Sequence, residues 1–235
     1  MGGQYIEPML WPPLPQVPGQ CEVCRRWGAA SLCGDCVTRF AAAVPRCGRC
    51  ALRLGAAAAA CGQCLRDPPP FECTVCVADY DFPWDRLIAD FKFHGRAELA
   101  GTLAALLATA VDPLAPPDLV LPVPLAPRRL AERGYNQAWE LARRVARTHH
   151  LAARADVLTR PLESLHQADL TRAQRLANLR AAFVVGPRAR DLLRGRRVAL
   201  VDDVLTTGAT AREAARVLLQ AGAAAVDVWV LARTP

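Results

Sequence analysis

Between Cys21 and Cys64 the chain places eight cysteines in four Cys-x-x-Cys pairs: Cys21/Cys24, Cys33/Cys36, Cys47/Cys50 and Cys61/Cys64. No other feature narrows the folding options as much. So short a segment has almost no core of its own, so bound metal must supply most of its folding free energy. A Cys-x-x-Cys turn aims two thiolates at one point, and two such turns complete a tetrahedral zinc site. Eight residues separate pairs one and two, and ten separate pairs three and four. Both gaps suit a small ribbon, which predicts two structural zinc ions. Iron–sulfur or redox chemistry is the competing use of the same motif. A fifth pair, Cys73/Cys76, complicates the phase. Spacing also permits sites built from pairs two with three and four with five. The fifth pair has no glycine in its turn and sits in the β-rich "FECTVCVADY", so it reads as two small strand residues. Pairing one with two and three with four is therefore the expectation.

The 235 residues suffice for one domain with a real core plus a smaller module. No uncharged apolar run approaches the roughly 18 residues of a membrane span; the longest, Leu99 to Val111, reads as a buried helix. No basic segment followed by an apolar stretch opens the chain, which points to a cytoplasmic protein. In that compartment thiols stay reduced, so paired cysteines mean metal rather than disulfides. Met9 is an alternative start. The net charge of +7 raises the question of nucleic acid. Of the 29 basic residues only Lys92 is lysine, and with the alanine richness this matches the codon bias of a GC-rich genome. Arginine also favours bidentate phosphate binding. The charge alone leaves a phosphate ligand and a plain solvated surface both open.

Composition divides the chain into a proline-rich lead (1–20), the cysteine-rich segment (21–66), a proline linker (67–72) and an alternating remainder (73–235). In the remainder, "CTVCVADYD", "DLVLPVPL", "DVLTR", "RVALV" and "AVDVWVLAR" read as strands. "WDRLIADFKFHG", "ELAGTLAALLATAV", "NQAWELARRVARTHH", "LTRAQRLANLRAAF" and "GATAREAARVLLQAG" read as helices. Alternation with continuously apolar strands predicts an α/β fold, a parallel sheet with helices on both faces. Ligands in such sheets bind beyond the carboxyl ends of the strands.

Asp202 and Asp203 stand at one of those ends, in "VALVDDVLTTGAT". Adjacent carboxylates repel, and desolvation makes it worse, so something must pair with them. The following turn opens a helix, whose free N–H groups and positive dipole end form an anion seat. Thr206, Thr207 and Thr210 add hydroxyls, and Gly208 permits a tight turn. Carboxylates accept from sugar hydroxyls or hold a divalent cation through water. A phosphate at one end and a diol in the middle satisfy both halves, and that ligand is a ribose 5-phosphate. A Walker loop and a dinucleotide fingerprint are both excluded, since neither glycine pattern is present.

"VALVDDVLTTGAT" resembles the phosphoribosyl-pyrophosphate (PRPP) signature of type I phosphoribosyltransferases. "LPVPLAPRRLAERGYNQAWELAR" (Leu121 to Arg143) resembles the hallmark of the competence-associated ComF family of that superfamily. "FKFHGR", "LTRPLESLHQADLTRAQRLANLRAAF" and the cysteine-rich front are similar to the same family. The layout is similar to its gluconate-associated, GntX-type members, and the likeness covers nearly the whole chain after about residue 18.

The resemblance implies a type I phosphoribosyltransferase-like sheet behind a double zinc ribbon, with Mg²⁺ accompanying PRPP. It implies that Asp202 and Asp203 are the catalytic pair on the ribose hydroxyls. The stretch Val204, Leu205, Thr206, Thr207, Gly208, Ala209, Thr210 would bind PRPP, with Thr206 to Thr210 on the 5-phosphate. A pyrophosphate loop would run from Pro124 through Leu125 to Arg128 and Arg129, with Arg133 and Gln137 in reach. Asn136 has the plainer role of a helix cap. A mobile hood would contribute Gln167, Arg172, Arg175 and Asn178. Lys92, in "FKFHGR", is a further phosphate candidate, while His94 packs locally. The family link implies DNA uptake, with single-stranded DNA and competence proteins as partners. Two functions stay open: transfer of the phosphoribosyl group to an acceptor the sequence does not name, or PRPP sensing by an accessory protein that binds single-stranded DNA. Few aromatics in the cysteine-rich segment (Trp27, Phe40) argue against a base-stacking platform there.

Overall fold

Val198–Val201 and Val226–Leu231, apolar at all but one position, belong in the middle of a sheet with both faces covered. A computed structural model, which describes residues 19–56, 58–112, 115–161 and 182–235, places them there. Four strands, β3 (Thr74–Asp79), β4 (Leu119–Pro122), β7 (Arg197–Leu205) and β8 (Ala225–Arg233), form one parallel sheet in the order β3-β8-β7-β4. The chain around Ala153 runs parallel beside β4 and bridges Val120.

Helices α3 (Trp84–Phe93), α4 (Leu99–Val111) and α6 (Gln137–Thr148) cover one face. The α6 side chains Ala138, Leu141, Ala142, Val145 and Ala146 all face inward, as the helical spacing predicts. α8 (Ala209–Gln220) covers the other face, burying Ala211, Ala214, Ala215 and Leu218. The same face carries Leu193 from α7 (Pro187–Leu193) and an antiparallel hairpin of β5 (Leu158–Thr159) and β6 (Val184–Val185).

Three local differences from the sequence reading have physical causes. The last stretch before the turn is strand rather than loop: β7 continues through Val204 and Leu205, because each pairs with β8 at Ala232 and Arg233. The expected pyrophosphate loop is helical from Pro127 onward: α5 spans Pro127–Arg133, with proline at its first position and Gly134 closing it at φ +80°. β6 and α7 were not anticipated. The helix expected over "LTRAQRLANLRAAF" lies almost wholly outside the described residues, as does most of the proline-rich lead.

The cysteine-rich segment carries a hairpin of β1 (Gly19–Gln20) and β2 (Trp27–Gly28) and two short helices, α1 (Gly34–Phe40) and α2 (Gly62–Arg66). It is fastened to the sheet at several points. Arg96 grips the Glu22 carboxylate with both terminal nitrogens, at 3.0 and 2.7 Å. Trp84 Nε1 donates to the Phe40 carbonyl at 2.7 Å. Thr74 donates through its amide to Gly48 and through its hydroxyl to Arg49, and Arg46 pairs with Asp79. Residues 67–72 run against the sheet body: Phe71 is buried there, and Arg212 donates to the Asp67 carbonyl.

Candidate functional site

The carboxyl ends of β3, β4 and β7 open into one cleft of about 850 Å³. That size falls in the upper part of the ~300–1,000 Å³ usual for small-molecule sites. β7 delivers Asp202 and Asp203 to its floor. Each acid accepts, through Oδ1, from the next backbone amide: Asp203 N at 2.9 Å and Val204 N at 2.8 Å. Asp203 is 2% exposed, and its Oδ2 accepts no well-aligned hydrogen bond from the described residues. The ammonium of Lys92 lies 2.8 Å from that oxygen as an ion pair. The lone lysine of the chain therefore neutralises one of the two acids, which answers the repulsion. Among the described residues Asp202 has no such partner. Burial, and then the Asp203 charge, push its carboxyl well above the usual carboxylate range, against the pull of the Asp203 amide and Lys92.

Beyond β7 the chain turns through Gly208 at φ +77°, the left-handed conformation in which glycine alone is unstrained. The Thr207 hydroxyl accepts from Ala209 N at 3.3 Å and serves the turn. Thr206 and Thr210 line the cleft. The first turn of α8 leaves N–H groups that no earlier turn accepts, at the positive end of a twelve-residue helix.

The opposite wall is cationic. Asn136 fixes it: its side-chain oxygen accepts from the amides of Ala138 and Trp139, and its nitrogen donates to the Val123 carbonyl at 3.1 Å. That cap joins the start of α6 to the end of β4. Arg129, Arg133 and Arg160 line the cavity from this side. Arg133 donates to the buried Gln137. Arg160 stacks its guanidinium over Phe183 at 5.6 Å, and its buried Nε has no partner among the described residues. Burial, followed by the Arg129 charge, lowers the Arg160 pKa, with Asp202 acting the other way. Two cations that disfavour each other while lining one cavity make a seat for an anion.

The two cysteine clusters are Cys21, Cys24, Cys33, Cys36 and Cys47, Cys50, Cys61, Cys64, with the sulfurs of each set within 4.8 Å of one another. Pairs one and two, and pairs three and four, thus come together. Cys24 and Cys33 Sγ are 3.6 Å apart, and Cys50 and Cys61 Sγ 3.7 Å. A tetrahedral site with ~2.3 Å metal–sulfur bonds has edges of about 3.8 Å, so both sets fit a four-thiolate metal ion. Burial works against a thiolate at Cys21 and Cys61. Amide donors outweigh it at Cys21, and the Cys64 amide and neighbouring sulfurs do so at Cys61, lowering them to about 6 and about 7. Cys73 and Cys76 stand apart. Cys73 donates to Asp227 at 3.1 Å, and burial with that carboxylate pushes it up to about 12; burial, helped by the Asp79 charge, raises Cys76 to about 11.

No family model matches the chain. Among curated proteins, the DNA utilization protein YhgH of Escherichia coli (strain K12) is 38% identical over 230 residues, which cover 93% of this chain and 98% of that protein. The chain belongs to the YhgH/ComF competence family. Competence protein F of Haemophilus influenzae is 35% identical over 175 residues, 72% of this chain and 76% of the relative. Among solved structures, the glutamine PRPP amidotransferase from B. subtilis, complexed with ADP and GMP, covers 57% of this chain and 26% of its own at 21% identity and a TM-score of 0.41. The α/β assignment rests on the sheet itself.

In this YhgH/ComF chain the residues singled out from sequence separate cleanly. Asp202, Asp203, Val204, Thr206, Thr210, Pro124, Leu125, Arg129, Arg133, Gln137 and Lys92 line the cleft. Arg128 does not: it sits on exposed α5 and pairs with Glu132 at 2.8 Å. Lys92 faces the acids rather than an anion seat, and His94 meets Asp90 on its own helix. Gln167, Arg172, Arg175 and Asn178 lie outside the described residues. Sequence reasoning missed Arg160, Tyr80 and Phe93. Each closes a strand or helix, Arg160 and Tyr80 at carboxyl ends of strands, and position relative to the cleft was the available signal. No helix among the described residues is long and apolar enough to cross a membrane.

Proposed function

We propose that the cleft binds PRPP together with Mg²⁺, and that the protein serves DNA utilization through that site. The observation that carries the reading is the pairing of opposites within one cavity. Asp202, Asp203, Thr206 and Thr210 line the same cavity as Arg129 and Arg160, and the charges of Arg129 and Asp202 act on Arg160 in opposite directions. The carboxylates suit ribose hydroxyls, the turn and helix start suit the 5-phosphate, and the two arginines suit a pyrophosphate. Arg160 takes the place expected of Arg128. Mg²⁺ is ordinarily held by one or two carboxylates plus substrate phosphates. Asp202 is the carboxylate free for that role, since Asp203 is engaged by Lys92. When bound, the ion would neutralise charge on the leaving pyrophosphate. The chain's own contribution is positioning and charge stabilisation. The cysteine clusters take two structural Zn²⁺ ions, consistent with their four-sulfur geometry.

The DNA link comes from relatives named for DNA utilization and competence. A PRPP-sensing accessory role in single-stranded DNA handling is the alternative to phosphoribosyl transfer, and pyrophosphate release across candidate acceptors separates the two. Binding itself is tested by thermal shift. Mg·PRPP at 100 times its Kd stabilises by about 2.7 kcal/mol, or roughly 5–11 °C for a chain of this size. Arg160→Ala is expected to shrink that shift. No shift in the wild-type protein contradicts the reading.

A further inference from the structure

The second cysteine cluster sits at the same end of the sheet as the cleft. Its first turn, Cys47 to Cys50, is flanked by Arg46 and Arg53, which bridge each other antiparallel. Both arginines pair with Asp79, the last residue of β3, Arg53 at 3.1 Å. The next residue, Tyr80, lines the cleft, and its amide donates to the Arg233 carbonyl at the end of β8, at 2.8 Å. Arg233 carries the connection further. Its Nε donates to the carbonyl of Cys50, one of the four clustered cysteines, at 3.0 Å. Its Nη1 donates to the carbonyl of Leu205 at 3.3 Å. One planar guanidinium thus spans the cysteine turn and the last residue of β7, and the turn assigned to the 5-phosphate begins at the next position, Thr206. Arg233 does not itself line the cleft, so whatever it does to a ligand is transmitted through that turn.

The two ends of this brace are held differently. The Leu205 carbonyl also accepts from the Thr234 amide at 3.1 Å and from its hydroxyl at 3.4 Å. The Cys50 end depends on the cysteine turn. Ala51, which follows Cys50, holds φ +56°, a left-handed conformation that a residue with a Cβ adopts only under constraint. A metal ion on the four sulfurs supplies that constraint, because Cys47 and Cys50 tie both ends of the turn to it. Without the ion the turn relaxes, and the Cys50 carbonyl moves with it.

We propose that Arg233 is a positioning residue that transmits the metal-bound state of the second cysteine cluster to the Thr206–Thr210 turn, so that the cleft binds its ligand at full affinity only while that cluster is metal-bound. The identity of the ligand rests on the PRPP reading; the linkage between cluster and turn does not. The forked shape of the side chain is what matters: a lysine keeps the charge but cannot hold two carbonyls in one fixed geometry.

Two readouts on the full-length protein test this. The first needs no ligand: amide hydrogen exchange at Ala209, Arg212 and Thr234, whose acceptors are the Thr207 hydroxyl, the Gly208 carbonyl and the Leu205 carbonyl. The second is calorimetric titration with Mg·PRPP. Arg233→Met is expected to keep both zinc ions, to quicken exchange at these amides about tenfold and to weaken PRPP binding about tenfold, the scale of one lost charge-assisted bond. Arg233→Lys is expected to behave like Arg233→Met. Cys61→Ser, which removes the second zinc, is expected to reproduce both effects, and combining it with Arg233→Met to add nothing further. Cys24→Ser, which empties the first cluster, is expected to leave exchange at the turn unchanged. The proposal is overturned if Arg233→Met leaves exchange unchanged, or binds PRPP as tightly as a wild type that does bind it. It is equally overturned if Arg233→Lys restores both readouts, if the combined variant shows the sum of the two losses, or if Cys24→Ser loosens the turn as much as Cys61→Ser. If exchange responds as expected while no form of the protein binds PRPP, the linkage stands and the PRPP reading falls.

Discussion

The cysteine-rich segment and the sheet that carries the cleft are stabilised by different means. The sheet is a packed interior, with Ile88, Phe91, Leu103, Leu121, Leu200 and Trp229 each almost wholly out of water. The second cysteine cluster has an interior made mostly of its own ligands: Cys47, Cys61 and Cys64 are buried, joined by Ala51. The first cluster falls between the two, since Cys21, Leu32 and Cys36 belong to the same buried group as α3, α4 and α6. A bound metal ion would have to replace core where core is missing, and the two clusters need not depend on it equally.

The largest expected effect breaks this contrast at its weaker side. Cys61→Ser should reduce bound zinc from two ions to one, as read by elemental analysis. Structural zinc contributes on the order of 10 kcal/mol to such small units. Limited proteolysis should then cut within residues 47–64 while the sheet stays resistant. Zinc content unchanged at two, or cleavage spread evenly over the chain, would show that the segment does not rely on its metal.

A smaller effect probes the cleft floor. Lys92→Met leaves Asp203 buried without its ammonium, and uncompensated buried charges are costly. A loss of about 2 kcal/mol is expected, or a fall in Tm of roughly 4–8 °C. Zinc content should stay at two, because the pair lies outside both clusters. A Tm within 1 °C or so of wild type would mean that water already compensates Asp203.

The smallest effect runs in the opposite direction. The folded-state pKa of Asp202 is raised, so the folded protein binds that proton more tightly than the unfolded chain does. Its stabilising contribution is complete below the unfolded carboxyl pKa of about 3.9 and is lost as pH rises through the folded value. Wherever Asp202 is ionised, its charge is a liability to the ligand-free fold. Asp202→Asn should raise the Tm of the ligand-free protein by about 2–4 °C, near 1 kcal/mol, and flatten its dependence on pH over that window. A fall in Tm on removal of this charge would contradict the account.

How much of this was legible in the sequence follows from where each signal resides. β7, β8, α6 and α8 announce themselves through apolar runs and helical spacing, because burial dictated those residues locally. The cysteine pairing was legible too: spacing left two phases open, and the strand-like setting of Cys73/Cys76 pointed to the one that the sulfurs adopt. α5 was not, since it buries nothing and its seven residues show no apolar periodicity. The two-residue strand β6 exists only through its partner β5. The ion pair of Lys92 with Asp203 joins α3 to β7 across the fold, so no local pattern encodes it. Arg160 looks like any of the chain's other arginines until the fold sets it at the end of β5, facing Arg129.

The central claim is that the two walls of the cleft together hold one sugar bearing phosphates at both ends. Titrating PRPP into the wild type and into Asp202→Asn/Asp203→Asn, each with and without Mg²⁺, tests it most directly. The account predicts saturable one-site binding by the wild type that requires Mg²⁺, and no measurable binding by the double variant. Absence of heat in the wild type, or equal affinity in the variant, would contradict it.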